Sequence, residues 1–113
     1  MASITNLFID QGSDYSNIIT VESANGVGLN LINYTVKSQM RKSYTSSIAY
    51  DFTTSLYSAP DGEIKLELSA ADSELIPPGR YLYDVEITSP TPLFKKTRVV
   101  EGIVTVTPQI TQV

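Results

Sequence analysis

The sequence has no cysteine, no histidine and no tryptophan. Without cysteine there is no disulfide framework and no thiolate metal site. Without cysteine and histidine, neither a serine–histidine nor a cysteine–histidine relay can form. A cysteine-free chain suits a protein made and assembled inside a cell. No stretch approaches the roughly 20 apolar residues of a membrane helix. Residues 1–10 lack the basic segment and apolar run of a signal peptide, so a soluble chain, unprocessed apart from loss of Met1, is expected. Basic charge is scarce: 8 Lys and Arg stand against 12 Asp and Glu, for a net charge of −4. The basic clusters are Arg41-Lys42 and the trio Lys95, Lys96 and Arg98. That is too little to displace counterions from a phosphate backbone, so nucleic acid is not an expected partner. Neither a membrane nor a small-molecule substrate is expected either.

What is present is alternation. The 113 residues suffice for one domain with a core that needs no staples. Tyr34, Val36, Ser38 and Met40 face one way and Thr35, Lys37, Gln39 and Arg41 the other, the period of a half-buried strand. In residues 63–68, Ile64, Leu66 and Leu68 point inward while Glu63, Lys65 and Glu67 point outward. Tyr81, Tyr83, Val85 and Ile87 give another inward face, and further strands are expected over residues 7–9, 15–21, 48–56 and from 95 or 96 to 106. Within residues 48–56, Ile48, Tyr50, Phe52 and Leu56 are in phase. Asn25-Gly26 and Pro60-Asp61-Gly62 are turn signals. Ser69-Ala70-Ala71-Asp72 reads as a capping box that starts one helical turn, closed by Pro77-Pro78-Gly79. Spacing and turns together predict a single all-β, immunoglobulin-like β-sandwich of about seven strands with one short helical turn, over residues 1–113.

Candidate sites are few. Glu63 and Glu67 read as a solvated strand face and not as an acid–base pair. Asp10, Asp14, Asp61 and Asp72 lack the dense alternating pattern of a calcium loop. Most of the seven tyrosines fall in phase with the core. Tyr81 is the candidate for a tyrosine corner, its hydroxyl bonding backbone between Ser69 and Ile76. Tyr44 and Tyr57 are placed at a contact surface, and Arg41 and Lys42 read as a solvated strand end or a docking point for an acidic neighbour. No catalytic residue, cofactor or metal is expected. Both ends of the chain, residues 1–9 and 102–113, contain no charged side chain and are rich in Ile, Val and Thr. Residues 109–113 are hard to place in a seven-strand sandwich and are read as an intersubunit arm carrying Ile110 and Val113.

Four segments carry a resemblance. They are Ile4-Thr5-Asn6-Leu7-Phe8-Ile9-Asp10-Gln11-Gly12, Tyr34-Thr35-Val36-Lys37-Ser38-Gln39-Met40-Arg41-Lys42-Ser43-Tyr44, Gly79-Arg80-Tyr81-Leu82-Tyr83-Asp84-Val85-Glu86-Ile87 and the stretch from Thr97 to Pro108. Through them the chain resembles small tailed-phage virion proteins of marine and cyanobacterial phages. It is also similar to the N-terminal domain of phage baseplate upper proteins, which continue into further domains. The resemblance implies a non-enzymatic virion structural protein, made in the cytoplasm of the bacterial host. It would assemble in many copies on the tail or baseplate, with other virion proteins and copies of itself as partners. Capsid decoration on the head, and a host-surface or carbohydrate-binding module, are the alternatives.

Overall fold

The computed structural model describes residues 3–22 and 26–110. Among the described residues nine strands form two facing sheets. They are β1 (Ser3–Ile4), β2 (Leu7–Asp10), β3 (Tyr15–Thr20), β4 (Thr35–Arg41), β5 (Tyr50–Asp51), β6 (Thr53–Ser58), β7 (Glu63–Leu68), β8 (Gly79–Thr88) and β9 (Lys96–Thr107), with one helix, α1 (Ala70–Glu74), between β7 and β8. The larger sheet runs β1-β9-β8-β4-β5, with β2 lying beyond β1 along the same edge of β9, and the smaller runs β3-β7-β6. β1 and β2 pair with β9 in parallel, whereas the other pairings are antiparallel. This strand order, with a first strand parallel to the last, is an immunoglobulin-like β-sandwich.

The alternation read from the sequence builds the core. Ile64, Leu66 and Leu68 from β7 meet Met40, Tyr81, Tyr83, Val85, Ile87, Val100, Val104 and Val106 across the sandwich, joined by Leu7, Ile9 and Ile19. Buried polar groups have partners: the Ser38 hydroxyl donates to the Asp84 carbonyl at 2.6 Å. Ser73 of α1 accepts the Gly12 amide at 3.1 Å and donates to the Ser13 carbonyl at 2.8 Å. The Ser69 hydroxyl accepts the Asp72 amide, so the expected helix cap is formed. Gly62 closes the 3-10 turn Ala59–Asp61 in the left-handed region that favours glycine. Asn25 lies outside the described residues.

Two expectations are corrected. The single strand expected over residues 48–56 is two strands in different sheets, β5 in the larger and β6 in the smaller. The chain crosses at Phe52, whose amide bonds the Ser38 carbonyl, while the Thr54 hydroxyl bonds the Val36 carbonyl. Ile48 precedes the crossing and is exposed, not inward. The first strand also has a forerunner, β1. The chain breaks from the ladder at Thr5 and Asn6, where Gly102 leaves room for the Thr5 carbonyl and the Asn6 side chain accepts the Ile103 amide at 3.1 Å.

Candidate functional site

The outer face of the six-stranded sheet is where side chains of mixed chemistry converge. Register sets Arg41 beside Leu82 and Leu82 beside Ile103, forming one row across β4, β8 and β9. The next row runs Asp51, Gln39, Asp84, Glu101 and Ile4. Beyond it Lys37 pairs with Glu86 and Glu86 with Arg98. A shallow groove of about 690 Å³ crosses these rows, lined among others by Ile4, Asn6, Tyr44, Leu82 and Ile103. Ile4 is 76% exposed, Tyr44 82% and Ile103 39%. Phe8, 71% exposed, pairs with Thr105 two residues beyond Ile103 and continues the apolar strip.

The charges on this face are knitted together. The Arg98 guanidinium bonds Asp84 at 3.1 Å and Glu101 at 3.2 Å. The Glu101 hydrogen bond, then the Asp84 charge, hold its pKa above the ordinary arginine value. Arg41 donates to the Ser46 carbonyl at 2.7 Å and to Gln39 at 3.2 Å, and Gln39 donates to Asp51 at 2.6 Å. Outward residues of the sheet comprise the bases Lys37, Arg41, Arg80, Lys96 and Arg98 and the acids Asp10, Asp51, Asp84, Glu86 and Glu101. The face is therefore neutral, and the whole net charge of −4 lies elsewhere on the molecule.

The structure separates the residues singled out from the sequence. Arg41 and Tyr44 line the groove. Tyr57, also exposed, sits at a register shift in β6 on the other sheet and does not line it. Tyr81 is buried and its hydroxyl donates to the Pro77 carbonyl, one residue past the expected stretch. The corner therefore forms with its acceptor one residue further along. Lys42 lies over the Tyr81 ring with its ammonium 4.7 Å from the centroid, a cation–π contact within the fold. Gln109 is tied down, its amide bonding Gln11 at 3.1 Å, while Ile110 is 97% exposed. Val113 lies outside the described residues.

Three aspartates accept local hydrogen bonds. Asp14 accepts the Ala70 amide at 2.7 Å, Asp61 accepts from Ser58 at 2.8 Å and Asp10 accepts from Thr107 at 2.8 Å. Among the described residues no group of three or more Asp or Glu is gathered as a metal ion would need. Sequence reasoning missed Ile4, Phe8, Leu82 and Ile103. A signal existed for Leu82: it holds the outward phase of a strand whose inward phase is Tyr81, Tyr83, Val85 and Ile87.

No family model matches the sequence, and no curated protein matches it. Similar solved structures exist. An internalin-like protein of Listeria monocytogenes matches at a TM-score of 0.54 and 20% identity, over 94% of this chain and 28% of that one. A voltage-gated sodium channel β subunit structure, from work on multimeric cell-adhesive interactions, matches at 0.46 and 16%, over 92% of each chain. A family 123 glycoside hydrolase from Clostridium perfringens matches at 0.43 and 13%, over 95% of this chain and 23% of that one. The chain thus spans little more than a quarter of the internalin-like protein, and at such identity the likeness concerns the fold alone.

Proposed function

We propose that this chain is a non-enzymatic structural subunit of a tailed-phage virion, an immunoglobulin-like module present in many copies on the tail or baseplate. The phage assignment is supported by the sequence resemblance across residues 4–12, 34–44, 79–87 and 97–108. The structural observation that carries the reading is the outer face of the six-stranded sheet. Ile4, Phe8, Tyr44 and Ile103 are left in solvent there among paired charges, and apolar side chains exposed together within a polar rim favour a contact surface. Arrayed copies supply high local concentration, so a contact of modest area suffices in a particle.

The test is the particle itself. Quantitative mass spectrometry of purified virions, separated into heads and tails, should recover this chain in the tail fraction at many copies per particle. Its absence from purified virions overturns the reading. Recovery with heads alone overturns the tail placement in favour of capsid decoration.

A further inference from the structure

We infer that the hairpin joining β8 to β9 docks on an anionic lipid bilayer, with Leu93 and Phe94 entering the headgroup boundary and Lys95 and Lys96 meeting the lipid phosphates.

The hairpin departs from the rest of the molecule in charge. The net charge is −4, yet between Glu86 and Glu101 there is no acid and there are three bases, Lys95, Lys96 and Arg98. Arg98 is held by Asp84 and Glu101. Among the described residues Lys95 and Lys96 belong to no ion pair, and both are exposed. They directly follow Leu93, 78% exposed, and Phe94, 63% exposed. Ile32, also exposed, stands at the same end of the sandwich, on the connection leading to Thr35, which pairs with Thr88 at the foot of the hairpin.

The backbone holds these side chains out. The Ser89 amide donates to the Lys95 carbonyl at 2.9 Å, and the Lys95 amide donates to the Ser89 hydroxyl at 2.8 Å, which closes the loop. Within it Phe94 takes a φ of 45°, a left-handed conformation unfavourable for a bulky residue. Burial does not offset this cost, since the ring stays mostly in solvent. Residues held in this way cluster where a protein contacts a ligand.

A bilayer meets both halves of this chemistry at once. The boundary between headgroups and hydrocarbon takes apolar side chains to a depth of about 5–10 Å, and anionic lipids attract lysines near the surface. A hairpin tip needs no membrane-spanning segment for this contact. Acids stand at the same end of the molecule. Glu22 lines one cleft with Lys95 and offsets part of its charge, so Lys96, on the outer face of β9, is the freer cation. Asp61 and Glu63 belong to the smaller sheet. Packed sheets lie about 10 Å apart, beyond the Debye length of about 8 Å at physiological salt, so an approach led by the hairpin leaves those two acids screened. Two apolar side chains and two lysines make a weak anchor, below the association constant of about 10⁴ M⁻¹ that one myristoyl chain gives. Arrayed copies would add their contacts.

The test is co-sedimentation of the full chain with vesicles of mixed phosphatidylglycerol and phosphatidylcholine, carried to about 10 mM lipid because so weak an anchor requires it. Binding is expected. It should fall about tenfold or more with phosphatidylcholine alone or in about 0.5 M salt, since each lysine near an anionic surface contributes about fivefold. Leu93→Asp and Phe94→Asp, each checked for an unchanged circular dichroism spectrum, should abolish binding. Ile110→Asp, at an exposed apolar residue beyond the opposite end of β9, should not. Because the chain lacks tryptophan, Phe94→Trp supplies a single fluorophore. Its emission should shift to the blue on binding and be quenched by brominated lipid. No binding to the mixed vesicles overturns the inference, as does binding equal on neutral vesicles or indifferent to Leu93→Asp and Phe94→Asp. Sedimentation without quenching at position 94 shows that another surface touches the lipid and overturns it as well. If vesicles do not bind but Leu93→Asp lowers incorporation into particles, the hairpin meets a protein and not a bilayer. These outcomes are separate from the virion test, since a chain found in purified particles can bind vesicles or fail to, and so can one that is absent from them.

Discussion

The two sheets share one core but treat their outer faces differently. In the smaller sheet β7 alternates without exception: Ile64, Leu66 and Leu68 are buried, and Glu63, Lys65 and Glu67 face water beside Ser16, Ile18 and Thr20 of β3. In the larger sheet the inward phase of β8 is just as strict, yet its outward phase includes Leu82. Next to it stand Ile103, Ile4 and Phe8. Alternation identifies the core side of both sheets. On the larger sheet the outward side is partly apolar as well.

The largest effect should come from inverting the cleaner sheet. Leu66 is fully buried at the centre of β7. Leu66→Asp places an unpaired carboxylate in the core and should cost about 3–5 kcal/mol, enough to unfold a domain of this size under mild conditions. Lys65→Asp removes an exposed contact to Glu67 at 3.7 Å and should change stability by less than about 1 kcal/mol. Urea unfolding of both variants checks this, and equal midpoints would reverse the register.

The next effect separates the edges of the two sheets. In the larger sheet the edge strand is built from the start of the chain, held where Gly102 admits the Thr5 carbonyl. A side chain at Gly102 runs into that backbone oxygen, so Gly102→Val should cost about 2–3 kcal/mol. It should also raise hydrogen exchange at the Thr5 and Ile103 amides, which bond the Glu101 carbonyl and Asn6. Exchange in β3 and β7 should change less. Uniform loss of protection in both sheets would show that the edge and the core unfold together.

Much of the framework was legible because its signals are local. The β7 alternation, the Ser69 cap, the turn at Gly62 and the buried phase of β8 each lie within a few residues. The crossing at Phe52 was not legible, because Ile48, Tyr50, Phe52 and Leu56 keep one period while the chain changes sheets. Nor was the outer strip, since Ile4 and Phe8 meet Ile103 only through parallel pairing of the two ends of the chain. The uncharged ends illustrate the same limit. At the first, Ser3–Ile4 and Leu7–Asp10 pair along β9, while at the other Gln109 is fastened to Gln11 and Ile110 stands in solvent. Composition alone could not tell these ends apart.

A smaller effect tests how the larger sheet holds its edge from the inside. The buried Tyr83 hydroxyl donates to the Thr5 carbonyl at 2.6 Å. Burial, and then the neighbouring Tyr15, push the Tyr83 pKa upward. The neutral phenol is thus favoured in the folded state. Its contribution is complete below the unfolded tyrosine value of about 10 and is lost as pH rises above it. Tyr83→Phe should cost about 1–2 kcal/mol near neutral pH through the unpaired Thr5 carbonyl. It should also make the alkaline fall in stability shallower, with Tyr15 and Tyr81, likewise shifted upward by burial, supplying the remainder. An alkaline limb identical to that of the unaltered protein would exclude Tyr83 as its source.

The smallest effect concerns Tyr81, two residues earlier on the same buried face. Its hydroxyl fastens the turn before β8 through the Pro77 carbonyl, but its ring also packs edge-on against Tyr50 and lies under Lys42. Tyr81→Phe keeps both ring contacts and loses one hydrogen bond, so it should cost about 1 kcal/mol. Tyr81→Leu removes the aromatic face as well and should cost more. The difference between the two variants, measured by urea unfolding, separates what the hydroxyl contributes from what the ring contributes. If Tyr81→Phe is as stable as the unaltered protein, the ring alone holds this corner and the bond to Pro77 adds nothing measurable.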